Sequence, residues 1–271
     1  MPALRLAVFG VTGRMGQSII RVLRSDGAWC LGGALASAAS SRLGQDAAGE
    51  GPPSGVRITA DPRAALIDEQ GKTASVALDF SVAAAVAGHA QACAAAGVPL
   101  LVGATGLDPA GLDALRRAAQ QIPVLLAPNT SVGVGVLAEL VRAAAAALGQ
   151  EFDVEIQESH HRMKRDAPSG TALRLGEIIA ATRAQTLQQA AVYGRHGATG
   201  PRAPGSIGFT VLRAGDIVGE HTVVFAGTGE RLELTHRAGD RDVFARGALR
   251  AAKWLADRDP GTYSMQDVLR C

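Results

Sequence analysis

The stretch Glu158 to Ala172, E-S-H-H-R-M-K-R-D-A-P-S-G-T-A, gathers imidazoles at His160 and His161, cations at Arg162, Lys164 and Arg165, and a Ser169-Gly170-Thr171 turn. An imidazole with its ordinary pKa of about 6.5 exchanges protons near neutrality. Pro168 followed by small polar residues suits the entry to a helix near Thr171, and a helix N-terminus offers unpaired N–H groups to a carboxylate. The segment reads as a place where an anion is held and handed a proton. Adjacent histidines point to opposite faces of a strand, or diverge by about 100° on a helix, so His160 and His161 cannot easily share one task.

Other chemistries fit these residues less well. A metal needs three or four converging ligands, and Glu158, His160, His161 and Asp166 form neither H-x-x-x-H nor H-E-x-x-H. Lys164 and Arg165 would also set positive charge beside the ion, so no metal is expected. Ser169 lacks the G-x-S-x-G setting of a hydrolase nucleophile. The plainer alternative keeps both histidines as ordinary polar residues at a strand end.

A second chemical feature lies at the start of the chain. G10-V-T-G-R-M-G16 falls between the apolar run Leu4 to Phe9 and the helically spaced Gln17 to Leu23. Backbone N–H groups of such a turn, with the helix dipole, stabilise a pyrophosphate. The usual fingerprint is G-x-G-x-x-G; here Thr12 occupies the middle position and Gly13 follows it. The glycines would otherwise serve only close packing of strand on helix. Arg14, a cation in a first helical turn, opposes the dipole unless an anion is bound. Where NAD-binding units carry a carboxylate at the end of the second strand, this chain has Ala36 and Ser37. Nothing there repels a 2′-phosphate, and Ser37 with Arg42 suits one, which favours NADPH over NADH with dual use open.

Elements must position these residues. Apolar runs at 4–9, 29–35, 56–59, 75–80, 99–102 and 123–127 alternate with helical patterns at 17–23, 62–69, 83–96 and 108–121, the rhythm of a parallel sheet. After Asn129 come a helix at 133–148, a strand at 152–157 and a helix at 170–184. The pattern then turns antiparallel, with strands at 207–212, 217–225 and 231–236 joined by turns at 214–216 and 227–229. An open sheet with an apolar face and only one later helix, 243–255, is most economically covered by self-association. The Gly- and Pro-rich loop 194–205 reads as mobile, with Arg195 and Arg202 free to reach an anion.

The 271 residues suit two domains of ordinary size, and 47% hydrophobic residues with only 4% aromatics favour closely packed helices. A net charge of +2 with dispersed cations argues for a small-molecule ligand and against nucleic acid or a membrane surface. Cys30, Cys93 and Cys271 show no C-x-x-C and no disulfide framework, which fits a reducing cytoplasm. Met1 to Phe9 runs straight into a strand, and apolar stretches break before about 18 residues, so a soluble, unprocessed protein is expected.

Taken together, G-x-x-G-R-M-G at 10–16, D79-F-S81, G103-A-T-G106, A127-P-N-T-S131, the 158–172 segment and A214-G-D-I-V-G-E-H221 resemble the 4-hydroxy-tetrahydrodipicolinate (dihydrodipicolinate) reductases of the diaminopimelate and lysine pathway. The resemblance runs over nearly the whole chain. It implies a Rossmann-like parallel-sheet domain at 1–130, completed by a C-terminal helix within 241–271. It also implies an α+β domain at 131–240 whose open mixed sheet assembles a homotetramer.

By the same resemblance, Gly10, Val11, Thr12, Gly13, Arg14, Met15, Gly103, Ala104, Thr105, Ala127, Pro128, Asn129 and Thr130 contact the nicotinamide cofactor. His160 and Lys164 form the proton-donating pair, with the donor between them undecided, and His161, Gly170 and Thr171 bind a cyclic dicarboxylate. Two departures from the pattern stand out: Ala36 and Ser37 replace an acidic and a basic residue, and Ala104 stands where Thr is frequent. The expected activity is NAD(P)H-dependent reduction of 4-hydroxy-tetrahydrodipicolinate; the alternative is a non-catalytic, NADP-responsive binding protein of the same fold.

Overall fold

A computed structural model describes residues 3–270. Residues up to Val132, together with those from Arg241 onward, form one compact unit, and Gly133–Asp240 form a second.

In the first unit, β1 (Leu4–Phe9) buries Leu6 and Val8 on one face and Ala7 and Phe9 on the other. A strand buried on both faces belongs inside a parallel sheet. The following elements are α1 (Arg14–Leu23), β2 (Trp29–Leu35), β3 (Ile58–Thr59), α2 (Pro62–Leu66), β4 (Val76–Asp79), α3 (Ala83–Ala96), β5 (Leu100–Val102), α4 (Pro109–Ala118) and β6 (Pro123–Leu126). The second unit contains α5 (Val132–Leu148), β7 (Asp153–His160), α6 (Gly170–Thr182), α7 (Leu187–Ala190), β8 (Ala191–Val192), β9 (Ile207–Arg213), β10 (Gly219–Ala226) and β11 (Arg231–Ala238). The chain then returns to the first unit as α8 (Asp242–Leu255), β12 (Gly261–Tyr263) and α9 (Met265–Leu269).

The first sheet runs β12-β6-β5-β4-β1-β2-β3, all parallel. Side chains of α1, α8 and α9 cover one face, and those of α2, α3 and α4 the other. β2 and β3 are added on one side of β1, and β4, β5 and β6 on the other, so β1 and β4 flank the switch point, where the carboxyl ends of parallel strands leave a crevice. Asp242 at the start of α8 accepts hydrogen bonds from Ser18 Oγ (2.6 Å) and Arg21 Nε (3.1 Å), which fastens α8 to α1. The Thr130 hydroxyl donates to the Phe244 carbonyl (2.7 Å).

Local chemistry trims several expected elements. Asp61 and Pro62 start α2, but Ile67 is extended and bridges Thr73, so the helix stops at Leu66 rather than residue 69. The expected strand 56–59 is regular only over Ile58–Thr59, and α4 ends at Ala118. No expectation covered α7, β8, β12 or α9. Cys30 and Cys93 are free thiols, and Cys271 lies outside the described residues. No helix among the described residues is long and apolar enough to cross a membrane.

The second sheet runs β11-β10-β7-β9-β8 and is mixed. The purely antiparallel rhythm expected after residue 206 is therefore corrected: β9 and β10 do not form a hairpin, because β7 lies between them, parallel to β9 and antiparallel to β10. The alternation of β9 and β10 reports one buried face, which parallel and antiparallel partners satisfy equally.

The expected uncovered apolar face is also corrected. Val154, Ile156, Phe209, Val223 and Phe225 pack against α5 and α6, through Leu137, Val141, Leu175 and Ile179 among others. Opposite residues of the strands are largely polar: Gln157 and Ser159 on β7, Glu220 and Thr222 on β10, Glu233, Thr235 and Arg237 on β11. The two threonines face each other across β10 and β11, their hydroxyl oxygens 3.0 Å apart. The helices that cover the apolar face precede most of the sheet in sequence.

Candidate active site

The residues expected at a cofactor gather at one end of the parallel sheet. Gly10 to Met15 follow β1, Ser37 follows β2, Gly103 to Thr105 follow β5, and Ala127 to Thr130 follow β6. Gly10 adopts φ +74°, and a Cβ there would lie 2.7 Å from the Phe80 carbonyl oxygen. Only glycine allows that approach. Gly10 and Val11 both donate to the Leu35 carbonyl (2.9 and 3.0 Å), while Gln17 Nε2 holds the Val11 carbonyl (2.8 Å). Gly13 caps α1 with no side-chain hydrogen bond, and the first turn holds no acid. Burial and the adjacent Arg14 hold the Arg241 guanidinium below its usual pKa.

Two cations beside an uncapped helix N-terminus, in a cradle shaped by glycine, are the donor set a pyrophosphate requires. The residues fit a dinucleotide. Ala104, Ala127 and Thr130 are buried, which leaves backbone rather than side-chain groups there for a ligand. Ser37 is exposed, its hydroxyl accepting from Ala39 N (3.2 Å). Arg42 donates to the Asp46 carbonyl (3.3 Å). Burial favours a protonated Asp46 carboxyl, but hydrogen bonds from Ser54, Ala48 and Gly55 outweigh it and bring its pKa to about 2.

In the second unit the residues expected to transfer a proton lie at a buried polar network. β7 runs on to His160, beyond the expected end at residue 157, so Glu158 and His160 share the face that α6 caps. The Glu158 side chain is 1% exposed. It accepts Arg213 as a two-pronged ion pair (2.8 and 2.7 Å), Ser169 N–H (3.0 Å) and His160 Nδ1. Burial raises the carboxyl, yet Arg213 and His160 together bring it below its usual range. The same ion pair raises the Arg213 guanidinium.

Because a carboxylate only accepts, Nδ1 of His160 carries hydrogen and Nε2 is the nitrogen left for chemistry. Nε2 lies beside Gly219, where a Cβ would approach to 3.1 Å. Burial lowers the His160 pKa first of all; Glu158 opposes this, and the Lys164 and Arg213 charges add to it. His160 is thus neutral at pH 7 until negative charge arrives.

Lys164 follows in a turn closed by its own N–H on the His161 carbonyl (3.1 Å), and its ammonium rests on Asp166 (2.8 Å to each oxygen). Ser169 caps α6 by accepting Ala172 N–H (3.2 Å), and no acid occupies the first turn. Gly170 is exposed and Thr171 half-buried at that end. Beneath them, His221 Nε2 meets Ser169 Oγ at 2.9 Å, and the His221 ring stands edge-on to His160 at 5.2 Å. Burial, then the neighbouring His160, drive the His221 pKa down to about 4.

One sequence expectation fails here. Arg195 and Arg202 are not free for a ligand: Arg195 forms two 3.0 Å bonds to Glu155, and Arg202 binds Glu155 (3.2 Å), Asp153 (3.1 Å) and the carbonyls of Val154 and Ser206 (2.7 and 2.6 Å). The acids that consume them lie about forty residues upstream on β7, where no local pattern announces the pairing. Arg213 was overlooked as a site residue, although it immediately precedes the A-G-D-I-V-G-E-H motif. Among the described residues, no cluster of His, Cys, Asp and Glu could hold a metal.

A chain that carries both a parallel doubly wound unit with a dinucleotide cradle and a unit bearing a carboxylate-backed histidine and an anion-ready helix has the parts of a nicotinamide-dependent oxidoreductase. Family models for the dihydrodipicolinate reductase N-terminus and C-terminus match residues 4–130 and 133–269. The chain belongs to the 4-hydroxy-tetrahydrodipicolinate reductase family. It is 49% identical over 268 residues to the reductase of that name from Thiobacillus denitrificans, covering 98% of each chain. It is also 49% identical over 267 residues to that from Anaeromyxobacter dehalogenans, covering 98% of this chain and 97% of the relative. The dipicolinate-bound dihydrodipicolinate reductase of Paenisporosarcina sp. TG-14 shares the fold at TM-score 0.76 with 23% identity, over 98% of this chain and all of the other.

Proposed function

We propose that the protein reduces 4-hydroxy-tetrahydrodipicolinate to tetrahydrodipicolinate with loss of water, using NADPH in preference to NADH. A bound reduced nicotinamide supplies the hydride. The chain's own residues bind and orient the diacid ring, exclude water and deliver a proton. The observation that carries the reading is the buried Glu158 carboxylate fixing His160 by Nδ1, beside Lys164 and the open N-terminus of α6, in a chain of this family.

In this reading one substrate carboxylate takes the N–H groups of Gly170 and Thr171, and Lys164 exchanges Asp166 for another, with His161 alongside. The new negative charge raises the His160 pKa, and Nε2 becomes the proton-bearing atom. Glu158 keeps the ring's tautomer and orientation throughout, while Arg213 prevents that carboxylate from taking the proton itself. Gly10 to Met15, Ser37, Gly103 to Thr105 and Ala127 to Thr130 are the proposed cofactor contacts. The family resemblance and the polar outer face of the second sheet support a homotetramer assembled there.

A coupled assay tests the reading. With the preceding condensation enzyme supplying substrate, NADPH oxidation should depend on this protein and be faster at limiting NADPH than at equal NADH. Cofactor binding without oxidation would instead favour a regulatory protein of the same fold.

A further inference from the structure

We infer that His89 is a positioning residue for the nicotinamide cofactor, acting through Asp79 and Phe80; this rests on the cofactor reading above. β4 ends at Asp79, in the middle of the parallel sheet, and the residue is fully buried. A carboxylate in such a layer persists only with partners for both oxygens. Oδ1 accepts the Ser81 N–H at 2.9 Å, and Oδ2 accepts His89 Nδ1 at 2.8 Å from within α3. The Ser81 hydroxyl also lies 3.4 Å from His89 Nδ1, and the remaining neighbours are apolar: Phe9, Val86, Ala90 and Cys93, whose thiol is held protonated by burial and then by the Asp79 charge.

The His89 ring stands edge-on to Phe9 at 4.9 Å, one residue before the glycine turn. The pair therefore ties the ends of β1 and β4 to α3. What it holds in place is Phe80. The Phe80 N–H donates to the Phe9 carbonyl (3.1 Å), its own carbonyl fills the space where Gly10 would carry a Cβ, and its ring fills that space at Gly103. Phe80 is thus seated between the loop after β1 and the loop after β5, both assigned to the cofactor. Apolar residues at 79 and 89 would pack the layer without fixing the 79–81 turn. The polar pair adds directionality at the switch point, where a ring or phosphate a fraction of an ångström out of place loses affinity.

The test is equilibrium titration of NADPH and NADH by nicotinamide fluorescence, with Tm measured alongside, for wild type, His89→Leu, His89→Asn, Phe80→Ala and the His89→Leu/Phe80→Ala double variant. His89→Leu should raise the dissociation constant about tenfold with the substrate KM unchanged, and His89→Asn, which retains a donor near Nδ1, should restore it to within about threefold. The double variant should bind no more weakly than Phe80→Ala alone. His89→Leu binding within twofold of wild type, additive losses in the double variant, or equal losses in the Leu and Asn variants would each overturn the inference. If His89→Leu does not fold, Phe80→Ala decides: undiminished affinity overturns it and a loss of about tenfold supports it. Failure of wild type to bind either cofactor would bring down the cofactor reading itself, a separate outcome.

Discussion

His160 gives its Nδ1 hydrogen to Glu158, a carboxylate it sits above and that is also gripped by Arg213. The neighbours pull its pKa in opposite directions, upward from Glu158 and downward from Lys164 and Arg213, while burial lowers it most. The protonated fraction of the free enzyme therefore falls as pH rises through a value below 6.5. Glu158→Gln should move the alkaline limb of kcat/KM to lower pH, and Lys164→Ala should move it to higher pH. Opposite displacements identify His160 as the titrating group; a limb unmoved in both variants assigns the proton elsewhere.

Loss of either member of the proposed proton-donating pair should be costly. His160→Gln and Lys164→Ala should each lower turnover by about a hundredfold or more, the usual scale for a general acid or an electrostatic anchor. Steady-state kinetics in the coupled assay checks this, and near-normal turnover in both would remove them from the mechanism.

Arg213 should matter for stability before it matters for catalysis. Its removal leaves Glu158 charged and buried with half its partners, a change worth about 3–5 kcal/mol. Arg213→Met should lower urea-unfolding stability by that order at pH 7, and Glu158→Gln introduced into the same background should recover part of it.

His221 gives the fold a pH dependence of its own. The unfolded chain takes up a proton near 6.5, and the folded imidazole does so only near 4. Between those values the unfolded state binds more protons, so stability falls as pH drops through that window, by about 3 kcal/mol in all. His221→Gln should show a shallower decline between pH 7 and 4.5 in denaturant titrations; a parallel curve would mean the imidazole titrates normally.

A carboxylate placed after β2 should reverse the proposed preference for NADPH. Ser37→Asp should raise the KM for NADPH about tenfold or more while leaving that for NADH within a few-fold, because the new charge repels a 2′-phosphate and can accept a ribose hydroxyl. Equal effects on both cofactors would place the adenosine end away from Ser37.

Legibility from sequence followed the range of the interactions. The glycine turn, the strand-helix rhythm and the 158–172 segment declare themselves because their partners lie within a few residues. Covalent neighbours could not reveal that β7 is clamped between β9 and β10, since its partners arrive fifty to seventy residues later and the alternation of β9 suits either direction. Arg195 and Arg202 looked available for the same reason, their acids being distant in the chain. Glu158 reads in sequence as the start of the 158–172 motif and as a possible metal ligand, but not as a buried carboxylate, because Arg213, its ion-pair partner, lies 55 residues away. The short β12 and α9 carry too few periodic positions to register, although Met265 and Val268 join the core.

The fastening of Ser18 and Arg21 to Asp242 has a consequence for how the molecule is made. Ala245, Ala248, Leu249, Ala252 and Leu255 close a core whose side chains from Leu6 to Ala127 were all translated before the second unit began. On the ribosome the dinucleotide unit must wait, one flank bare, while the whole second unit is synthesised. A chain released early at residue 240 would carry every proposed binding loop and still present that flank to chaperones and proteases. Quality control over the enzyme thus falls on residues 241–271, the first of which, Arg241, borders the proposed cofactor cradle.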